Sequence, residues 1–82
     1  MVKFNMGRFI FRFEPKTKRL AAIYDSKYEK DYLVSDPTFS VVFEYAVNSL
    51  ENDALDELRV RMIEEPQYVR IISDIVYDRK NS

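Results

Sequence analysis

The stretch Val2–Phe13, VKFNMGRFIFRF, constrains the fold more than any other part of the chain. Apolar residues fall at Val2, Phe4 and Met6, then at Phe9, Phe11 and Phe13. Both runs have the period of two that marks a β-strand with one buried face. Between them the phase slips by one residue, and a one-residue slip moves every side chain to the opposite face. The only glycine of the chain, Gly7, sits at the slip. A β-bulge absorbs one extra residue and often takes glycine. The pattern therefore predicts a bulged strand over 2–14 that keeps one apolar face throughout. A tight turn at Asn5–Gly7 joining two short strands is the alternative.

Pro15 within EPKTKR marks a turn. RLAAIYD then predicts a second strand, with Leu20, Ala22 and Tyr24 on one face, antiparallel to the first. A two-stranded hairpin is marginal alone in water, so it needs a third strand or helices against it. Tyr24, Tyr28 and Tyr32 have helical spacing, but DYLV is read as a short third strand. SDPTFSVVFEYAVNSL is the clearest helix. Ser35 or Asp36 can cap it and Pro37 suits the first helical position. Phe39, Val42, Phe43, Ala46, Val47 and Leu50 follow a helical stripe, with Val41 and Tyr45 beside it. A second helix follows from Asn52 or Asp53, with Leu55, Leu58, Met62 and Ile63 on its apolar face and Pro66 as its stop. The last element, 66–79, has helical spacing at Tyr68, Ile71, Ile72, Ile75 and Val76. Pro66 suits its start, and Arg79 and Lys80 suit its end. Its β-branched content favours a strand, and helix is preferred. The fold class is then α+β: an N-terminal antiparallel β-hairpin or three-stranded sheet packed on about three α-helices. No linker divides the 82 residues, which are read as a single small globular domain, 1–82.

Function classes narrow by composition. The chain has no histidine and no cysteine. That removes the usual neutral-pH general base, the activated thiol, disulfides and the commonest metal ligands. One glycine cannot build a phosphate-cradling loop. Carboxylates do gather at Asp53, Asp56 and Glu57 and at Glu64 and Glu65, where they could hold a divalent cation. Their spacing matches no calcium loop, and acids in a first turn are explained by the helix dipole. No enzyme, cofactor or small-molecule substrate is therefore expected. No apolar run reaches the roughly 18 residues of a membrane span, and Lys3, Arg8 and Arg12 interrupt the N-terminus where a signal peptide would be apolar. The expectation is a cytoplasmic protein with no membrane partner.

Charge is uneven. Residues 1–20 carry six basic side chains and one acidic, while the rest carry seven basic and thirteen acidic. Arg8, Arg12, Lys16, Lys18 and Arg19 would form a basic outer face on the hairpin, suited to an acidic partner or to nucleic acid. In a strand, Phe9, Phe11 and Phe13 point away from Arg8 and Arg12. A single-strand nucleic-acid platform needs rings and cations on one surface, so this segregation disfavours it. The C-terminal element is apolar on nearly every side, more than a small monomer readily covers. Tyr68, Ile72, Ile75, Val76 and Tyr77 are accordingly expected to form a protein interface, a second copy included. The leading expectation is a non-enzymatic interaction or regulatory module of inhibitor or adaptor type. A nucleic-acid-binding domain using the basic hairpin face is the alternative.

Overall fold

A computed structural model describes residues 2–81, apart from the side chains of Val2 and Met6. The chain folds as an α+β protein: a four-stranded antiparallel sheet followed by three helices. The strands are β1 (Val2–Met6), β2 (Phe9–Phe13), β3 (Leu20–Asp25) and β4 (Lys30–Leu33), in that spatial order. The helices are α1 (Phe39–Asn48), α2 (Asn52–Arg61) and α3 (Pro66–Lys80). The DYLV segment is thus the fourth strand, since the first segment supplies two.

The phase slip at Gly7 is resolved as a turn, not as the expected bulge. Met6 pairs with Phe9, which leaves Gly7 and Arg8 as a two-residue loop. Gly7 has φ +63° and Arg8 is not left-handed. A positive φ at the first central position alone is the pattern of a type II′ hairpin turn, whose twist suits antiparallel strands. Phe4 pairs with Phe11, so the two phases meet on one face after all. Phe4, Phe9, Phe11 and Phe13 are all buried there. The side chains of Val2 and Met6, which the alternation groups with Phe4, lie outside the described residues.

A bulge does exist, one strand further on. Arg12 pairs with Ala22 but Phe13 pairs with Leu20, leaving Ala21 as the extra residue. This corrects the face assigned to β3. Leu20, Ile23 and Asp25 stand opposite Phe13, Phe11 and Phe9 and face the helices. Ala22 and Tyr24 stand opposite Arg12 and Ile10 on the other face.

The helices cover the phenylalanine face of the sheet. Phe43 sits at the centre with no exposure. Its ring lies 6.2 Å from Phe11, 6.5 Å from Phe39 and 4.7 Å from Tyr68. Leu55 and Leu58 from α2, Met62, and Ile72 from α3 complete the core. Helix α1 starts at Phe39 and not at Pro37. The Asp36 carboxylate accepts from the Thr38 backbone N–H at 2.9 Å and from its hydroxyl at 2.8 Å. That Asx turn holds Pro37 outside the helix. Ile63 is exposed, against expectation, because α2 ends at Arg61 and the chain turns before helical spacing can bring Ile63 round.

Glu65 connects the two layers. Its side chain is buried and its Oε2 accepts from the Leu20 N–H at 3.0 Å, beside the bulge. Removing the acceptor strands a buried donor, so Glu65→Ala is expected to destabilise by about 1–3 kcal/mol, and Glu65→Gln by less. Urea denaturation midpoints check both.

Candidate interaction surface

The two arginines of the hairpin do not share a face. Arg8 is a turn residue, so its side chain is free to swing to the helix side. It forms a two-pronged ion pair with Asp25: Nε to Oδ1 and Nη2 to Oδ2, both 2.8 Å. Its Nη1 also donates to the Tyr45 hydroxyl at 3.3 Å. The guanidinium lies 4.8 Å from the Phe9 ring, 5.4 Å from Tyr28 and 5.5 Å from Tyr45. Cations favour such positions over aromatic faces. Asp25 is buried and accepts a further bond from the Lys27 N–H at 3.0 Å. The Arg8 guanidinium holds the Asp25 carboxyl below the usual carboxylate range, and Asp25 in turn raises the arginine further. With its charge matched, Arg8 anchors tyrosines and does not stand ready for an anion.

A carboxyl held low in the folded state adds stability above its unfolded pKa of about 3.9, and that stability is lost as pH falls through the folded value. Asp25→Asn is therefore expected to be less stable than the parent at neutral pH. Its melting temperature is expected to fall less between about pH 5 and pH 2. Thermal melts across that window, read by circular dichroism, check the sign.

Arg12 lies on the helix-free face. Its Nη1 donates to Asp31 Oδ1 at 3.0 Å, and its guanidinium is 5.2 Å from the Tyr24 ring. Thus Tyr24, expected on one face with Leu20, lies on the other face with a cation, and Arg12 covers it. The rings of Phe9, Phe11 and Phe13 point inward as expected. Lys16, Lys18 and Arg19 are exposed in the β2–β3 turn, apart from the ion pairs of Arg8 and Arg12. The proposed basic face is therefore divided into two neutralised pairs and a cationic loop.

The C-terminal set divides as well. Tyr68 and Ile72 are buried in the core, so they cannot offer surface to another molecule. Ile75 and Val76 are half-buried against the same core. Of the five, Tyr77 alone is exposed. The helix covers its apolar sides within the chain because α1 and α2 both pack against it.

Five of the eight large apolar side chains exposed among the described residues lie around β4, the others being Val60, Ile63 and Tyr77. Tyr28, Val41 and Tyr45 are 63%, 69% and 59% exposed, and Leu33 and Val34 are also exposed. Two grooves flank the strand. On the helix side, Arg8, Phe9, Tyr28, Tyr32, Val41 and Tyr45 line about 250 Å³. On the helix-free side, Arg12, Ala21, Ala22, Leu33 and Val34 line about 550 Å³. The four-residue spacing of Tyr24, Tyr28 and Tyr32 masked this arrangement in the sequence. On the folded hairpin those residues occupy the outer face, the turn and the inner face in succession. The carboxylates fall elsewhere: Asp53, Asp56, Glu57 and Glu64 are exposed, and Glu65 is committed to Leu20. No group of three or more acidic residues among the described residues is placed to hold a metal ion. No helix among them is long and apolar enough to cross a membrane. Comparison with protein-family models, with curated proteins and with solved structures finds no match.

Proposed function

We propose that this chain is a non-enzymatic protein-interaction module whose contact surface surrounds β4. One observation carries the reading: exposed Tyr28, Tyr45 and Val41 cluster about an arginine already fixed by an ion pair. Tyrosines held in place lose little freedom on binding, and tyrosine with arginine is the usual composition of strong contact points. The reading moves the interface from the C-terminal helix to the side of α1 that lines the tyrosine groove beside β4, because Tyr68 and Ile72 lie in the core. The cationic loop of Lys16, Lys18 and Arg19 would add attraction for an acidic partner.

The immobilised chain, incubated with extract of its source cells, tests this. A protein retained by the parent and by Tyr77→Ala, but lost from a folded Tyr28→Ala, Tyr45→Ala double variant, is the expected result. Identical captured sets from all three would contradict it. Nucleic acid captured by the parent and lost from a Lys16→Glu, Lys18→Glu, Arg19→Glu variant would favour the alternative instead, with binding that weakens steeply in salt.

A further inference from the structure

We infer that β4 accepts an extended segment of a partner protein as a fifth strand, which deepens the protein-interaction reading and rests on it. β4 ends the sheet, with β3 as its only strand neighbour among the described residues. The Val34 N–H bonds to the Ala21 carbonyl at 3.1 Å. Alternation along the strand then turns the N–H and C=O groups of Asp31 and the N–H of Leu33 outward, away from β3, while the Leu33 carbonyl accepts from the Asp36 N–H at 2.9 Å. An unpaired edge is a template for another strand. Added strands gain affinity from main-chain hydrogen bonds and selectivity from pockets that take alternate side chains. β4 has a groove on each face to supply such pockets.

The side chains specify the occupant. Tyr32 stands opposite Ile23 on the helix side, and Leu33 stands opposite Ala22 on the bare side. A strand antiparallel to β4 would place one apolar residue beside Leu33, over the larger groove. Its next residue would lie beside Tyr32, over the tyrosine groove. Two positions further on it would face Lys30, which lies 5.0 Å from the Tyr32 ring and favours an acid. Charge on the wider scale agrees: residues 2–34 hold eight basic and four acidic side chains, and residues 35–81 hold five basic and ten acidic. The occupant is thus an extended segment reading apolar, apolar, polar, acidic.

A second copy fits poorly. Two β4 strands paired about the strand centre with like faces together set Asp31 against the second copy's Asp31, or against its Leu33. The first pairing repels and the second desolvates a carboxylate against a leucine. Charged residues on an edge are a common guard against self-pairing.

The test uses the full chain, labelled with nitrogen-15, and a synthetic peptide with Val-Ile-Ser-Glu at its centre. Saturable shifts at the Asp31 and Leu33 amides are expected, with slowed hydrogen exchange at both. A peptide N-methylated at the bonding positions is expected not to bind. Leu33→Pro removes one outward donor without touching the β3 ladder, so it is expected to weaken binding about tenfold. No shift, or equal binding of the N-methylated peptide, overturns the proposal. Shifts of the same amides on concentrating the protein alone would make a second copy the occupant and also overturn it. A captured partner that requires Tyr45 but ignores Leu33→Pro would leave the interaction reading standing and remove strand addition.

Discussion

Phe43→Ala is expected to remove about 3–5 kcal/mol of folding stability, the range for a phenylalanine truncated in a closed core. Phe43 is fully buried, and three rings from β2, α1 and α3 close on it. Its removal opens a cavity where sheet and helices meet. A domain of this size holds only about 4–12 kcal/mol in all. The variant is therefore expected to show a fraction of the parent's urea midpoint with an unchanged slope. Val42, on the same helix, is half-buried. Val42→Ala removes fewer packed atoms, and a loss of at most about 1–2 kcal/mol is expected. Equal losses at 42 and 43 would mean that α1 presents a different face to the sheet.

Ile72→Asp is expected to prevent folding or to destabilise by more than about 4 kcal/mol, since a carboxylate would replace a fully buried methyl-rich side chain. Tyr77→Asp, five residues along α3, is expected to stay within about 0.5 kcal/mol, because Tyr77 is two-thirds exposed. The contrast bears directly on where the apolar C-terminal segment goes. If α3 were an exposed interface, Ile72→Asp would fold and lose only association. Circular dichroism melts of the pair, with light scattering after gel filtration for the folded species, separate the two outcomes.

Much of the architecture was legible in the sequence. Period-two alternation announced the strands, and the stripe from Phe39 to Leu50 announced α1. Pro66 and the terminal cations announced α3 despite its β-branched residues. The inward set Phe9, Phe11 and Phe13 followed from alternation alone. Legibility failed where one residue decided a phase. At Gly7 a bulge and a two-residue turn produce the same alternation, and only the pairing of Met6 with Phe9 separates them. At Ala21 nothing marks the bulge: three small or apolar neighbours read equally well in either phase. That silent slip grouped Tyr24 with Leu20 on one face and hid Asp25 as an inward carboxylate.

The candidate site was less legible because its parts are distant in sequence. Arg8 meets Asp25 across 17 positions and Tyr45 across 37. A basic run suggests a continuous cationic face only while its counter-ions are unseen. Once β3 and β4 are paired, Asp25 and Asp31 neutralise two of the five cations. The C-terminal segment misled in the opposite direction. Its all-round apolar character suggested an uncovered surface, but packing against both α1 and α2 hides most of it. The exposed tyrosines Tyr28 and Tyr45 carried no signal of a shared surface: Tyr28 shares a helical spacing with Tyr24 and Tyr32 yet lies in a turn, and Tyr45 lies beside the main stripe of α1.

The most direct measurement is site-specific photocrosslinking in the source cells, with a photoreactive phenylalanine analogue placed in turn at positions 45 and 77. Both positions are exposed tyrosines on helices; at 45 the swap gives up the 3.3 Å bond from Arg8 and keeps an aromatic ring beside Phe9. A surface centred on β4 predicts a discrete crosslinked protein from position 45 and none from position 77. A crosslink from position 77 with none from position 45 would contradict it and return the interface to the C-terminal helix.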